Sequence, residues 1–406
     1  MVNIFKSSVA PCARVNIIIS GGGLAGLSTS LGLAKLGLFH VDIIECRSEW
    51  LSQGSAFGLA ANGRKCLKEL FDSSASLNRL LEMGIYSEDL DTHLLIWHML
   101  RDSLLEEVKK SSSISIHMGK TIDSYDDTSD QSQIEVVIKN VNGAGGREKL
   151  TGLLLIAADG VYSNIRALAG LEPATFAAKT KWRGTIPRVP EGSILEPYLD
   201  KGIVPLLTDG LTKGMQTGGD CLVNLFNFHP KVDRKMTFVL NASVANLPHG
   251  THPREIFRKH MPDPYHHQIL EEVYMLADDK ELHYPLPNAV IELPISGNMG
   301  WGGRGRVVFV GDSAHAMRPA SGQGGSMAFE DAVVLCRLLK NAGVQSLKTR
   351  ESAESLVNEF EASRFDRVKA IWDSQWEISE GVYKKGADST SFKWNESFDA
   401  WVKEGV

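Results

Sequence analysis

The chain has 406 residues, of which 43% are hydrophobic and 23% are charged, and its formal net charge is −6. This length predicts two or three domains, and the acidic balance argues against a nucleic-acid-binding surface. Its five cysteines are widely spaced and include no C-x-x-C pair, which argues against a disulfide framework or a zinc site and favours a reducing, cytoplasmic location.

The first predicted unit is a strand, a glycine turn, a helix and a second strand. Residues 15–20 form a short apolar run, and Gly21, Gly23 and Gly26 follow it as G-x-G-x-x-G at the start of a helix. Such a turn presents free backbone N–H groups to a pyrophosphate, and Glu45, about 20 residues further on, is placed to bind an adenosine ribose. The alternative is an ordinary βαβ turn. The predicted cofactor contacts in this unit are Gly21, Gly23, Leu24, Ala25, Gly26, Glu45 and Arg47.

Neither this unit nor the residues before it has the pattern expected of a membrane anchor. The apolar stretch 15–41 is interrupted by Asn16, Lys35 and glycines, so no transmembrane segment is expected. Residues 1–14 carry two basic residues and no acid, and the apolar run after them is the first strand. We therefore expect no cleaved signal peptide, although a weak organelle-targeting role for these residues is left open.

The next segments are expected to flank the cofactor and to complete its domain. Residues 54–70 read as a glycine-punctuated loop followed by a short amphipathic helix, and 96–108 as a second helix. The segments 133–141 and 150–157 are rich in strand-forming residues, and the glycine-rich stretch 142–146 between them favours a hairpin over a second nucleotide motif.

Beyond residue 180 the pattern changes to strands alternating with proline-bearing loops, which predicts an inserted antiparallel sheet. A buried strand at 306–310 and a glycine-rich turn at 321–325 then lead into a long helix, followed by a helical tail. We expect a mixed α/β fold with a Rossmann-like domain, a substrate domain and a C-terminal helical region. Their predicted bounds are 1–75, 97–180 and 290–340 for the first, 76–96 and 181–289 for the second, and 341–406 for the third.

Two further motifs each end a strand and start a helix: Ala-Asp-Gly at 158–160 and Gly-Asp-Ser-Ala-His at 311–315. Together with the first glycine turn, the ordered trio resembles the fingerprints of the single-component FAD-dependent aromatic hydroxylases, which include para-hydroxybenzoate and salicylate hydroxylases. Trp182-Arg183-Gly184 between the second and third motifs, and Arg364 and Arg367 after the third, make the resemblance more specific.

The resemblance implies that FAD is bound. It implies that Asp312 accepts hydrogen bonds from the ribityl hydroxyls of FAD. It also implies that Asp159 contributes to binding both FAD and a transiently bound NADPH or NADH. Free N–H groups at the helix near Gly322 would stabilise negative charge on the reduced flavin. For either aspartate the alternative is a helix N-cap. His315 is expected to orient loop backbone. The residues assigned to the cofactor in this way are Arg101, Asp159, Gly160, Gly311, Asp312, Pro319, Gly322, Gly324, Gly325 and Ser326.

Arg101 is the loosest of these assignments. The family commonly has an FAD-contacting arginine followed by leucines three and seven residues later, whereas here Leu104 and Val108 occupy those positions. A solvated helix arginine is the alternative.

The activity implied by the resemblance is that of an NAD(P)H- and O2-dependent monooxygenase. A flavin C4a-hydroperoxide would hydroxylate a small aromatic or heteroaromatic substrate, with Arg183, His229 and Arg318 as candidate catalytic residues. His229 shares a predicted strand face with Asn227, although an ordinary strand-end histidine, like a solvated arginine at 318, is the alternative. The competing functions are an alkene or terpenoid epoxidase, a nicotinamide dehydrogenase and a non-catalytic nucleotide-fold binding module. Both a monomer and a dimer remain open.

Overall fold

The structure is a computed structural model that describes most of the chain. The residues described are 15–52, 56–88, 91–128, 132–199, 203–207, 221–226, 234–242, 244, 247–260, 264–283, 285–294, 300–318 and 322–379. His229 and Pro319, two of the predicted site residues, lie outside these ranges.

The strands share four sheets. They are β1 (Val15–Ser20), β2 (Phe39–Glu45), β3 (Ala56–Ala60), β4 (Ile85–Ser87), β5 (Thr92–Ile96), β6 (Ile114–Met118), β7 (Lys120–Asp126), β8 (Ile134–Asn140), β9 (Glu148–Gly152), β10 (Leu155–Ala157), β11 (Thr175–Ile186), β12 (Ile203–Leu207), β13 (Cys221–Phe226), β14 (Met236–Ala242), β15 (Leu286–Val290) and β16 (Val307–Phe309).

The α-helices pack on these sheets. They are α1 (Leu24–Lys35), α2 (Ala61–Leu70), α3 (Ser74–Glu82), α4 (Trp97–Lys110), α5 (Asn164–Leu168), α6 (Pro253–His260), α7 (Pro264–Leu276), α8 (Asp279–Leu282), α9 (Asp312–His315), α10 (Gly324–Ala342) and α11 (Arg350–Ser379). Among the described residues, no helix is both long enough and apolar enough to cross a membrane.

A five-stranded parallel sheet forms the centre of the first unit, in the order β16-β10-β1-β2-β6. Its strands are buried on both faces, as the fully buried Ile17, Ile18 and Ile19 of β1 show, and this explains the continuous apolar runs in the sequence. Helix α1 packs against α4 and α10. The strand ends therefore place the three sequence motifs at one edge of the sheet.

A five-stranded sheet in the order β12-β13-β14-β11-β15 forms the second unit, and all of its pairs are antiparallel. One face carries a separate core in which Trp182 and Phe238 pack with Phe257 of α6 and Ile269 of α7. The predicted mixed α/β fold, with a Rossmann-like unit and an antiparallel sheet, is confirmed.

Several local expectations differ from the structure. The segment 54–70 contains strand β3, which pairs with β5, and not only a loop and a helix. The segment 150–157 is divided between β9 of a hairpin and β10 of the parallel sheet, because Leu153 N–H bonds to Asn16 O (2.8 Å) where the chain crosses between the two sheets.

The segment 76–96, expected in the substrate domain, packs elsewhere. Leu77, Leu80 and Leu95 belong to the core around the parallel sheet and not to the core of the antiparallel sheet. The reason is the pairing of β5 with β3, which joins this segment to the chain that leads into α2.

Candidate active site

In the first glycine turn, backbone segments lie too close together for side chains at two of the three glycines. Gly21 has a φ of 102°, and a Cβ there would collide with the Ala158 carbonyl, while a Cβ on Gly26 would collide with the Gly21 carbonyl. At Gly23 an added Cβ would meet nothing within 4 Å. Gly23 is the N-cap of α1 and has no side chain to bond the first turn, so the N–H groups of that turn are available to a ligand.

Glu45, at the end of β2, is fixed to this turn. Its Oε2 accepts from Gly22 N–H (2.8 Å) and its Oε1 accepts from Arg47 N–H (2.9 Å). The carboxylate is almost fully buried, whereas the side chain of Arg47 is exposed. The structure thus holds Glu45 beside the glycine turn, where the ribose contact is predicted.

Arg101 is placed differently from the other predicted cofactor residues. It is 2% exposed, its Nη1 donates to Leu51 O (2.8 Å), and its guanidinium lies over Trp50 and Trp97 with 5.4 and 5.6 Å to the ring centroids. It does not line the cavity described below, whereas Trp97 does. Arg101 thus packs between two tryptophans, and its contact with FAD stays a prediction.

Asp159 supports the cap of a helix. Ser163 Oγ donates to its Oδ1 (2.6 Å), and Ile165 N–H donates to its Oδ2 (3.1 Å) at the start of α5. Burial raises the pKa of this carboxyl, and the two hydrogen bonds oppose that rise. The N-cap of α5 is Ser163, whose Oγ accepts from Arg166 N–H (3.1 Å), and Asp159 supports this cap from the preceding loop. The neighbouring Gly160 faces the cavity.

Arg166, on α5 just after the second motif, links the second motif to the third. Its Nη1 donates to the carbonyls of Ser313 (3.2 Å) and Trp301 (3.3 Å), and its guanidinium lies 5.9 Å from the ring centroid of Phe309. This side chain was not singled out from the sequence, and it fixes the spacing between the two motifs.

Gly311 and Asp312 occupy a sharp turn after β16. Gly311 has a φ of 61°, and Asp312 begins the single turn of α9. The Asp312 side chain lines the cavity and makes no hydrogen bond or ion pair with the described residues. Enclosure by protein raises the pKa of its carboxyl, while the charges of His315 and Lys181 oppose that rise.

Beneath this turn lies a buried group of charges that we call the ion cluster: Glu330 and Asp331 of α10, Arg364 and Arg367 of α11, and His315. Asp331 Oδ2 accepts from Gly311 N–H (2.8 Å) and lies 2.7 Å from His315 Nε2. Arg364 donates to Asp331 Oδ1 and to Glu330 Oε2, both at 2.8 Å. Burial alone would raise the pKa of Asp331, but His315 and Arg364 lower it to about 2.

The ion cluster also reaches the glycine-rich turn before α10. Asn62 Nδ2 donates to Glu330 Oε1 (2.8 Å) and to Gln323 Oε1 (3.0 Å). Gln323 is the N-cap of α10 and gives no side-chain bond to the first turn, so the N–H groups of this helix end are also available. His315 reaches the loop backbone through Asp331, whose Oδ2 also accepts from Gly311 N–H, and its role in orienting that loop stays a prediction.

These elements line a half-open cavity of about 540 Å3 between the parallel-sheet unit and the antiparallel sheet. Two helix N-termini, those of α1 and α10, face it together with Asp312 and the backbone of Gly160. Both helix ends suit a phosphate or another anion, and Asp312 suits hydroxyl donors, so the residues fit the pyrophosphate and ribityl parts of FAD. The predicted site residues that line the cavity are Gly23, Leu24, Ala25, Gly160, Arg183, Asp312, Arg318, Gly322, Gly324 and Gly325.

Several lining side chains were not predicted from the sequence, and four of them bear on the chemistry of the site. Phe57 of β3 and Trp97 of α4 supply apolar wall, and Tyr162 lies in a tilted contact with the ring of Phe176. Lys181, two residues before Arg183 on β11, adds a second cation to the wall. The alternation Lys-Trp-Arg in a strand would have identified Lys181, since side chains two apart share a face. Ser326 lies inside α10, buried against Gly63.

Comparison with known proteins gives a separate indication of the cofactor. Residues 303–375 match the model of the family described as FAD binding domain. A FAD-dependent monooxygenase of Aspergillus terreus is 25% identical over 91% of this chain and 86% of its own length. The aurachin C monooxygenase/isomerase of Stigmatella aurantiaca is 25% identical over 96% of this chain and 93% of its own length.

The fold is shared with solved structures. The structure of Klebsiella pneumoniae HpxO complexed with FAD and uric acid covers 94% of this chain and 92% of that one, with a TM-score of 0.67 and 21% identity. The family match and the sequence relatives indicate an FAD-binding oxidoreductase. The family match, the sequence relatives and the three ordered motifs support the assignment of this chain to the single-component FAD-dependent monooxygenases.

Proposed function

We propose that this chain hydroxylates a small aromatic or heteroaromatic substrate in a reaction that consumes NADPH or NADH and O2. One observation carries the proposal: two helix N-termini without side-chain caps, and Asp312, which bonds to none of the described residues, face the same cavity as side chains of the antiparallel sheet. A cofactor held by the first unit is thereby covered by side chains of the second. Bound FAD would supply the redox chemistry, accepting a hydride from the nicotinamide and activating oxygen.

The protein's own residues would hold the reactants and exclude water. The amides after Gly23 and around Gly324 would bind the pyrophosphate and the flavin edge, with Asp312 accepting bonds from hydroxyl groups. Phe57 and Trp97 supply apolar wall against which an aromatic ring can pack. The cavity is half open, and its apolar wall would exclude water from the reacting atoms once FAD and the substrate fill it.

The test is the visible spectrum of the purified, desalted protein, followed by anaerobic addition of NADPH or NADH. We expect a two-band flavin spectrum that bleaches, and then aerobic turnover of a member of an aromatic panel. Formation of an epoxide from an alkene panel, with no aromatic product, would replace hydroxylation by epoxidation. A colourless protein that FAD cannot reconstitute would end the proposal.

Two glycine variants sharpen this test. Gly23→Val would fill the open approach at the α1 N-terminus, and we expect it to lose FAD. Gly146→Val is the matched control, since its added side chain also meets nothing within 4 Å, but in an exposed hairpin turn. Equal FAD content in the two variants would contradict the placement of the pyrophosphate.

A further inference from the structure

Two cations alternate along strand β11 on the cavity wall. Trp182 between them is fully buried in the core of the antiparallel sheet, and its Nε1 donates to Thr251 O (3.0 Å). Because successive side chains of a strand point to opposite faces, Lys181 and Arg183 point away from that core. Both line the cavity.

Neither cation has a partner in the part of the chain that the structure describes. Lys181 and Arg183 make no hydrogen bond there and no ion pair within 4 Å, although both are more than half covered. Arg364, by contrast, donates to two carboxylates. Asp312 acts on Lys181, and Glu281 on Arg183, only from beyond ion-pair distance. Desolvating a cation that contacts no carboxylate is costly, so two such cations on one wall suit a ligand that brings negative charge.

The electrostatic neighbours locate Lys181 within the cavity. The charges that act on it are those of Arg183 on its own strand and Asp312 on α9. Asp312 is the residue placed to bind ribityl hydroxyls, so Lys181 lies towards the flavin end of the cavity. The pyrophosphate is served by the amides at the N-terminus of α1, on the opposite unit.

We propose that Lys181, assisted by Arg183, binds a carboxylate or similarly stable anionic group of the substrate and so selects anionic aromatic rings. The inference rests on the proposed function, because it assigns the substrate of the same cavity. A lysine ammonium is a compact charge with three donors, and Arg183 adds a planar set of donors two residues away. A neutral ring of the same shape would leave both cations without a partner.

The charge of Lys181 makes this selection dependent on pH. Burial is the main cause that lowers the pKa of Lys181 to about 8, Arg183 lowers it further, and Asp312 opposes the decrease. Arg183 is itself influenced by Arg47 and Glu281, and Arg318 lines the same cavity. Since an anion binds the protonated ammonium, its affinity is highest below pH 8 and falls as the pH rises through that value.

The test is calorimetric titration of the FAD-loaded protein with benzoate and with its neutral analogue benzamide. We expect Lys181→Met to lose benzoate affinity about 10-fold or more while binding benzamide as the wild type does. Lys340→Met, which changes an exposed lysine on α10, is the matched control and should behave as the wild type. Above pH 8 the wild type should lose benzoate affinity, whereas Lys181→Arg should retain it.

Each other outcome overturns the inference. These are no benzoate binding by the wild type, equal affinity for benzoate and benzamide, an unchanged preference in Lys181→Met, and loss of FAD from Lys181→Met, which would assign the lysine to the cofactor phosphates. Failure of the protein to bind FAD or to consume NADPH or NADH counts instead against the proposed function. The calorimetry needs no turnover, so the two failures are distinguishable.

Discussion

Two groups of charged side chains are close to each other in this fold, and they differ in whether the charges bond to one another. In the ion cluster of Glu330, Asp331, Arg364, Arg367 and His315, the acidic and basic side chains bond to one another. On the cavity wall, Lys181, Arg183 and Asp312 have no hydrogen bond or ion pair with any described residue. The contrast separates charges that support the structure from charges that are available to ligands.

The two groups are connected through the third motif. Asp331 accepts from Gly311 N–H, the residue directly before Asp312, and Arg364 holds Asp331 from the other side. The ion cluster therefore sets the backbone that presents Asp312 to the cavity. Substitutions in the ion cluster should act first on stability, and substitutions on the cavity wall should act on ligand affinity.

The largest effect is expected for Arg364→Met. This change leaves Glu330 and Asp331 buried with fewer partners, and removing one member of a buried ion pair costs about 3–5 kcal/mol of unfolding free energy. Urea unfolding measures the loss. The matched control is Arg337→Met, which breaks a partly exposed ion pair with Glu69 and should cost about 1 kcal/mol or less. Similar losses in both variants would contradict the structural role of the ion cluster.

Acid should weaken the ion cluster in a defined range. The pKa of Asp331 in the folded protein is about 2, below the ordinary value of 3.8, because the charges of His315 and Arg364 outweigh the effect of burial. A lowered pKa stabilises the fold above the ordinary value, and this contribution of about 2 kcal/mol is lost as the pH falls from 4 towards 2.

The unfolding free energy, measured at intervals across that pH range, tests the expectation. Asp331→Asn should show a shallower decrease with falling pH than the wild type. Asp366→Asn changes an exposed aspartate on the same helix as Arg364 and should leave the slope as it is. An identical slope in all three proteins would show that Asp331 does not carry the effect.

Asp312→Ala should separate ligand affinity from stability. Because the carboxyl has no partner among the described residues, its loss should change the unfolding free energy of the FAD-free protein by no more than about 0.5 kcal/mol. Loss of charge-assisted bonds to the ribityl chain should weaken FAD binding about 10-fold. Quenching of flavin fluorescence on titration measures the affinity, and unaltered affinity would remove Asp312 from the cofactor site.

The elements that sequence reasoning predicted well depend on local signals. Gly21 and Gly26 are required by contacts within the turn itself, whereas Gly23 borders open space. The apolar run of β1 indicates burial on both faces of a parallel sheet. Strand β3 was missed because its partner is β5, whose paired residues lie 32 to 40 positions further along the chain. The pairing of distant segments leaves little trace in a local pattern.

The site shows the same limit at the level of single residues. Arg183 was singled out by the Trp-Arg-Gly motif. Lys181 was not, because its position on the cavity wall follows from the burial of Trp182 on the opposite face of β11. Asp159 and Asp312 stand in similar Asp-Gly and Gly-Asp contexts, and nothing local distinguishes them. Only the surrounding chain shows that one supports the cap of α5 and the other faces the cavity without a partner among the described residues.

The smallest effect is expected for substitutions of Asp159. These substitutions test whether Asp159 differs from Asp312 in serving the structure more than the cofactor. Asp159→Ala removes the acceptor for Ser163 Oγ and Ile165 N–H, and loss of such a cap costs about 1 kcal/mol. Asp159→Asn keeps a cap acceptor and should restore most of that stability. If Asp159 also serves the nicotinamide, Asp159→Asn will slow anaerobic flavin reduction by NADPH or NADH at nearly normal stability. An unchanged reduction rate in this stable variant would leave Asp159 as a cap alone, and Asp312 as the aspartate that serves the cofactor.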